Sequence, residues 1–258
     1  MTERRNAAWV RLAAALWPVV SLGCGGGDGG NEESRSADDA PKSAVTTEML
    51  SEGGVDYRPP AQEIPLEELG FDFGSDDAPI SVVEFSDYGC GYCRRFHAET
   101  FPTLMKGHIE TGTVRWKYVT YLSGSFANSP AAAFVAECAG EQGRFASVSY
   151  RLFERQRDWS RLRDPFPVFA EIAREAGVDP DELRACIEEQ RPRARLRSGI
   201  VAGRRLGVRG TPHFVVDGVP VMGARPLEWW TRFFTAIEAE IAKEAGVGAE
   251  PSGREPPP

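Results

Sequence analysis

Hydrophobic positions along the chain change their period several times, and each change predicts a different element. Ser81-Val82-Val83-Glu84-Phe85 lies in a short apolar run over 80–86 that reads as a buried strand. From Cys90 to about Ile109 the spacing is helical, interrupted by Pro102, which should kink the helix. Glu110-Thr111-Gly112 ends it. Between Thr113 and Leu122, Val114, Trp116 and Tyr118 alternate with Arg115 and Lys117, the period of a second strand.

From Ser129 to about Leu206 the period is helical again. Ser129-Pro130 is an N-cap and first-turn pair ahead of Ala131 to Gln142. Further helices are predicted over 145–155, over 167–176 with Gly177 as C-cap, and over 180–190 with Asp179 as N-cap. Phe214-Val215-Val216, Asp217-Gly218 and Val219 to Met222 predict a hairpin, because Asp-Gly supports a two-residue turn with positive φ. An amphipathic helix from Pro226 to Ala245 follows, carrying Leu227, Trp230, Phe233, Phe234, Ile237 and Ile241. The element order is βαβ, an all-helical block, then ββα, with no internal repeat.

The ends of the chain read differently. Arg4, Arg5 and Arg11 precede a short apolar run, Leu12 to Gly23, which suits a signal-peptide core better than a membrane span. Gly23-Cys24 followed by a glycine-rich stretch resembles a bacterial lipoprotein signal, in which Cys24 is lipidated. Ser21 and Leu22 depart from that pattern, so export with cleavage nearby stays open beside lipidation. Residues 25–62 are rich in Gly, Ser, Asp, Glu and Pro and read as a disordered tether; residues 246–258 read as a similar tail. The compact domain is thus expected over 63–245, with the helical block inserted at about 127–206. Export places the chain in an oxidising compartment, a bacterial periplasm or cell envelope.

Composition narrows the function classes. The 258 residues are 41% hydrophobic, enough for a sizeable core, and the net charge of −8 argues against a nucleic-acid binder. Of the five cysteines, Cys24 belongs to the signal, Cys90 and Cys93 form a close pair, and Cys138 and Cys186 remain.

Cys90-Gly91-Tyr92-Cys93 is the candidate chemistry. It sits where a strand gives way to a helix, so Cys90 meets unpaired backbone N–H groups that stabilise an anion. The thiolate is the species that exchanges disulfides, and a lowered thiol pKa is what such exchange needs. Zinc sites also use this spacing, but a tetrahedral site needs two more ligands, and His97, His108 and His213 form no second close pair. No metal and no organic cofactor is expected; the cysteines carry the electrons.

Three stretches, 83–93, Glu137-Cys138-Ala139-Gly140-Glu141-Gln142-Gly143 and Gly207-Val208-Arg209-Gly210-Thr211-Pro212-His213-Phe214, resemble the DsbA-like disulfide oxidoreductases in order and spacing. The resemblance covers roughly 70–245. It implies an α/β thioredoxin-like fold (βαβ…ββα) with an all-helical insertion. It implies Cys90 as nucleophile and Cys93 as resolving thiol. Glu84 is implied as a buried acid that accepts the Cys93 proton, unless it points to solvent at the strand end. Pro212 is implied as a cis-proline facing the sulfurs, with the Thr211 backbone open to a substrate strand, unless it is a trans-proline in an ordinary loop. Gly91 and Tyr92 set the redox poise, and without a histidine there the helix terminus is expected to carry most of the thiolate stabilisation. Gly-Tyr with a threonine before the proline also resembles the periplasmic isomerases.

Cys138 and Cys186 fall on apolar faces of two predicted helices. Family members contain a disulfide between such helices; two buried thiols are the alternative. His213, Tyr88, Phe96, Phe126 and Trp159 are read as packing residues. The expected activity is thiol–disulfide oxidoreduction on cysteine-containing exported proteins by a monomer recharged by a membrane redox partner, a quinone-linked oxidase or a thiol donor. A reductase or isomerase kept reduced by such a donor, and a noncatalytic peptide-binding or chaperone module, are the competing readings.

Overall fold

The apolar run at Ile80–Ser86 becomes the central strand of a five-stranded sheet in the computed structural model, which describes residues 66–247. The signal segment with Cys24, the tether, and the tail beyond Val247 lie outside the described residues. The strands are β1 (Phe71–Phe73), β2 (Ile80–Ser86), β3 (Val114–Thr120), β4 (His213–Val216) and β5 (Val219–Met222), in the order β1-β3-β2-β4-β5. β2 and β3 are parallel, joined by a helical crossover, while the outer pairings are antiparallel. The hairpin turns through Asp217 at φ 46° and Gly218 at φ 87°, the positive-φ pair that Asp-Gly predicts.

Side-chain alternation on the strands sorts the core. Ile80 and Val82 of β2, with Val114 and Trp116 of β3 and Phe214 and Val216 of β4, face one side of the sheet. That side is covered by α1 (Gly91–Glu99), by α2 (Phe101–Leu104) running into a π-helical turn at Met105–Ile109, and by α9 (Leu227–Val247). Val83, Phe85, Val119 and Val215 face the other side, against α8 (Arg193–Arg205). Gly199 and Gly203 let α8 lie close. A Cβ on Gly199 would stand 2.7 Å from the Thr120 carbonyl oxygen, and one on Gly203 would meet the Tyr121 ring at 2.5 Å.

The insertion holds α3 (Ser129–Glu141), α4 (Phe145–Glu154), the short α5 (Gln156–Trp159), α6 (Phe166–Glu175) and α7 (Pro180–Glu188) around its own core. Cys138 on α3 and Cys186 on α7 are joined as a disulfide, their Cα atoms 5.9 Å apart.

Several local expectations are corrected. The break after α1 falls at Thr100, and Pro102 sits in the first turn of α2, where its missing N–H is harmless. Asn128 is the residue preceding α3, and Ser129 does not cap it: its hydroxyl is drawn to the buried Asp87 carboxylate. Arg115 and Lys117, on the polar half of the β3 alternation, are buried as well. β1 covers that edge, and Asp72 and Asp76 supply the charge partners: Lys117 Nζ lies 2.9 Å from Asp72, and Arg115 lies 2.9 Å from Asp76. The closing helix extends two residues past Ala245.

Candidate active site

β2 ends at Ser86, and four residues turn the chain into α1. Asp87, almost fully buried, governs that turn. One of its oxygens accepts the Gly89 N–H at 3.0 Å, and the other accepts the Ser123 N–H and hydroxyl, each at 3.0 Å. Ser129 donates to Asp87 as well. Gln156, from α5, donates to the carbonyls of Tyr88 and Cys90, the latter at 2.9 Å. The loop before the dithiol is therefore tied both to the β3 exit and to the helical insertion. Buried carboxylates and amides satisfied in this way hold one backbone geometry.

Cys90 is the N-cap of α1, with extended backbone (φ −75°, ψ 123°), and its sulfur accepts the Cys93 N–H at 3.5 Å. Both cysteines are free thiols. The Cys90 pKa is lowered from 9.0 to about 6. Hydrogen bonding from the Cys93 thiol is the largest cause. Burial opposes it, and the Thr211 side chain and then the Cys93 and Tyr92 amides add to the lowering. The helix terminus thus contributes as expected but does not carry most of the duty. Cys93 is fully buried, and its thiol is pushed well up, by burial first and then by the neighbouring Cys90. One sulfur is poised to be an anion, and the other holds its proton.

The Thr211–Pro212 peptide is cis, and the Cys90 thiol donates to the Thr211 carbonyl at 3.2 Å. This brings together residues 121 positions apart. Gly91 is exposed with open space around it, so a Cβ there would meet nothing within 4 Å. Tyr92 is 63% exposed, its ring under the Arg95 guanidinium. The dithiol is therefore flanked by an accessible surface on its Gly91-Tyr92 side.

Glu84 is fully buried on the same face of β2 as Ile80 and Val82, the face that α1 covers. Its carboxylate is bound at both oxygens: Oε1 lies 2.7 Å from His97 Nε2, and Oε2 accepts the Trp116 indole N–H at 3.0 Å. The acid's nearest polar partners are thus His97 and Trp116, with His97 one helical turn beyond Cys93 on α1. The His97 ring also stacks on Phe153 of α4, centroids 4.3 Å apart. His213 is 3% exposed, neither ring nitrogen has a partner, and burial lowers its pKa to about 4. It packs. Tyr88, Phe96 and Trp159 are core residues, and Phe126 is packed against the core.

Asp87, His97 and Gln156 belong to the site without a strong mark in the sequence. Asp87-Tyr88-Gly89 does carry a signal, an aspartate whose side chain bonds the N–H two residues on. Gln156 carries none, because its partners lie 66 and 68 residues away.

The chain matches the model of the family described as Thioredoxin over residues 69–236. It is 25% identical over 146 residues to "Disulfide bond formation protein D" of Bacillus subtilis, a match covering 56% of this chain and 66% of that one. The chain therefore spans just under two thirds of that relative. Among solved structures it is similar to oxidised BdbD of Bacillus subtilis (TM-score 0.61, 22% identity, 71% of this chain and 96% of the other). It is also similar to a thioredoxin-like oxidoreductase of Silicibacter pomeroyi (TM-score 0.53, 26% identity, 67% and 92%).

Proposed function

The chain belongs to the thioredoxin family, in its DsbA-like branch, and from that premise we propose that it is an exported protein disulfide oxidoreductase working through Cys90 and Cys93. The observation that carries this reading is the asymmetry of the two thiols. Cys90, 5% exposed beside the open Gly91, is lowered to about 6, while Cys93 is fully buried and raised.

In the oxidising direction, a substrate thiolate attacks the Cys90 sulfur of the Cys90–Cys93 disulfide. Cys93 departs and takes up a proton, leaving a mixed disulfide between substrate and Cys90. A second substrate thiolate then attacks the substrate sulfur of that bond, and Cys90 leaves as thiolate. Two electrons pass from the substrate to the dithiol, which a membrane partner, a quinone-linked oxidase, must remove. A low leaving-group pKa speeds the last step, so a Cys90 lowered to about 6 favours net oxidation. The Thr211 backbone, held against the sulfur, offers main-chain groups to an extended substrate segment.

The Cys138–Cys186 disulfide supports a compartment outside the cytoplasm, where such bonds persist. That agrees with the signal segment and the lipidation proposed at Cys24. The test is the reaction of the oxidised protein with a reduced, unfolded disulfide protein. Cys90→Ala should abolish it, and reduced Cys93→Ala given the disulfide form of that substrate should stop at the mixed disulfide, because the Cys90 thiolate displaces one substrate sulfur and no second thiol is left to resolve the bond. Undiminished oxidation by Cys90→Ala would overturn the assignment. A redox titration of the 90–93 pair separates an oxidase from a reductase or isomerase held reduced.

A further inference from the structure

A groove of about 530 Å³ opens beside the dithiol, lined by Gly89 and Gly91 on the active-site side and by Arg94, Gln156, Arg157 and Arg161. Its charge is one-sided. Some arginines elsewhere in the insertion are matched by several carboxylates: Arg155 pairs with Asp158, Glu171 and Glu175, and Arg191 with Glu141, Glu182 and Glu189. Arg94, Arg157 and Arg161 have no ion pair among the described residues. Three guanidinium groups are thus left uncompensated at one place, on a chain whose net charge is −8.

We propose that this groove is a substrate subsite for acidic polypeptide segments flanking the reactive cysteine. The inference rests on the oxidoreductase reading above and adds to it which substrates are preferred. The groove adjoins Cys90: Gly89 and Gly91, its two chain neighbours, line it, and Gln156 in its wall holds the Cys90 carbonyl at 2.9 Å. A substrate joined to Cys90 as a mixed disulfide must therefore lay its neighbouring residues, spaced about 3.3 Å apart when extended, near the arginines. Guanidinium groups bind carboxylates in paired hydrogen bonds, and a one-signed cleft raises the encounter rate of the opposite charge. The groove's concavity favours a chain segment; a flat membrane surface has no way into it.

The test uses the oxidised protein and three single-cysteine peptides identical but for Glu-Glu, Gln-Gln or Lys-Lys beside the cysteine, with dithiothreitol as an uncharged reference. At low salt the Glu peptide should form the mixed disulfide about tenfold faster than the Lys peptide, with Gln between, and high salt should compress the three toward one rate. Arg157→Glu with Arg161→Glu should invert the order; the salt series on the unaltered protein needs no variant to be decisive. Equal peptide rates at low salt with an intact dithiothreitol reaction overturn the inference alone. Equal peptide rates together with binding to anionic phosphatidylglycerol vesicles also overturn it and assign the arginines to a membrane. A protein that fails with dithiothreitol sinks the oxidoreductase reading and this inference with it.

Discussion

The Cys90 thiol donates a hydrogen bond to the Thr211 carbonyl, joining the N-cap of α1 to the cis peptide that precedes β4. Two features far apart in the sequence thereby become one site. The nucleophile is presented beside the backbone that would receive a substrate strand, and both rest on adjacent strands, β2 and β4, that are locked in register from Val82–Val216 to Phe85–His213.

The first prediction concerns ionisation of Cys90. Its folded pKa, about 6, lies below the ordinary 9.0. A depressed pKa stabilises the reduced folded protein above pH 9, and that stabilisation is lost as pH falls through about 6. Alkylation of the reduced protein should therefore reach half its maximal rate near pH 6, in step with thiolate absorbance in the ultraviolet. The stability gap between reduced and oxidised forms should shift toward the oxidised form as pH falls from 9 to 6. A thiol titrating near 9 would refute the site's electrostatics.

Glu84 and His97 give the second prediction. Both are buried and 2.7 Å apart. His97→Phe strands one carboxylate oxygen and should cost about 3 kcal/mol by urea denaturation. Glu84→Gln keeps an acceptor and should cost less. If Glu84 takes the Cys93 proton, directly or through His97, then in the reducing direction, where Cys93 attacks the mixed disulfide, Glu84→Gln should also slow release at least about tenfold while formation by Cys90 changes little. Equal effects on both steps would make Glu84 a structural residue.

How far the sequence reveals this site depends on the distance between partners. β2, the Asp-Gly hairpin and the strand-to-helix dithiol are visible because their signals are local: an apolar run, a turn dipeptide, a spacing of three. β1 is only three residues long, too short for its alternation to stand out, yet it buries Arg115 and Lys117. The helix Arg193–Arg205 hides its buried face in Gly199, Ala202 and Gly203, small residues chosen for close approach, so no apolar stripe marks it. Asp87 looks like an ordinary loop aspartate, because Ser123 and Ser129 reach it only in the fold.

The third prediction is that Cys138→Ala with Cys186→Ala lowers unfolding free energy by about 4 kcal/mol in the chain-entropy model, given the 48-residue separation. Exchange with dithiothreitol should be little changed, since α3 and α7 contribute no group in contact with the Cys90 sulfur. An unaltered thermal midpoint would show that the unfolded chain is not constrained by this bond. A lost exchange reaction would show that the insertion positions the dithiol through Gln156.

Asp217 supplies the last prediction, and its sign is opposite to that of Cys90. Burial raises its pKa from 3.8 to about 6, although it accepts the Ser81 N–H at 2.9 Å. A raised pKa favours the folded state only while the group is protonated, so this stabilisation is full below pH 3.8 and is lost as pH rises through about 6. At pH 7 the ionised carboxylate is a net cost. Asparagine keeps the acceptor, carries no charge, and suits the positive φ of 46° at the first turn position. Asp217→Asn should therefore stabilise the domain by about 1 kcal/mol more at pH 7 than at pH 3.5, the partial exposure of the turn limiting the effect. The turn preference itself contributes equally at both pH values, so the difference between them isolates the charge. His213, lowered to about 4, loses stability as pH falls through that window whether or not Asp217 is changed, and it cancels in the comparison. Urea unfolding of the two proteins at both pH values measures it, and a gain of equal size at each would show that the Asp217 carboxylate is not desolvated.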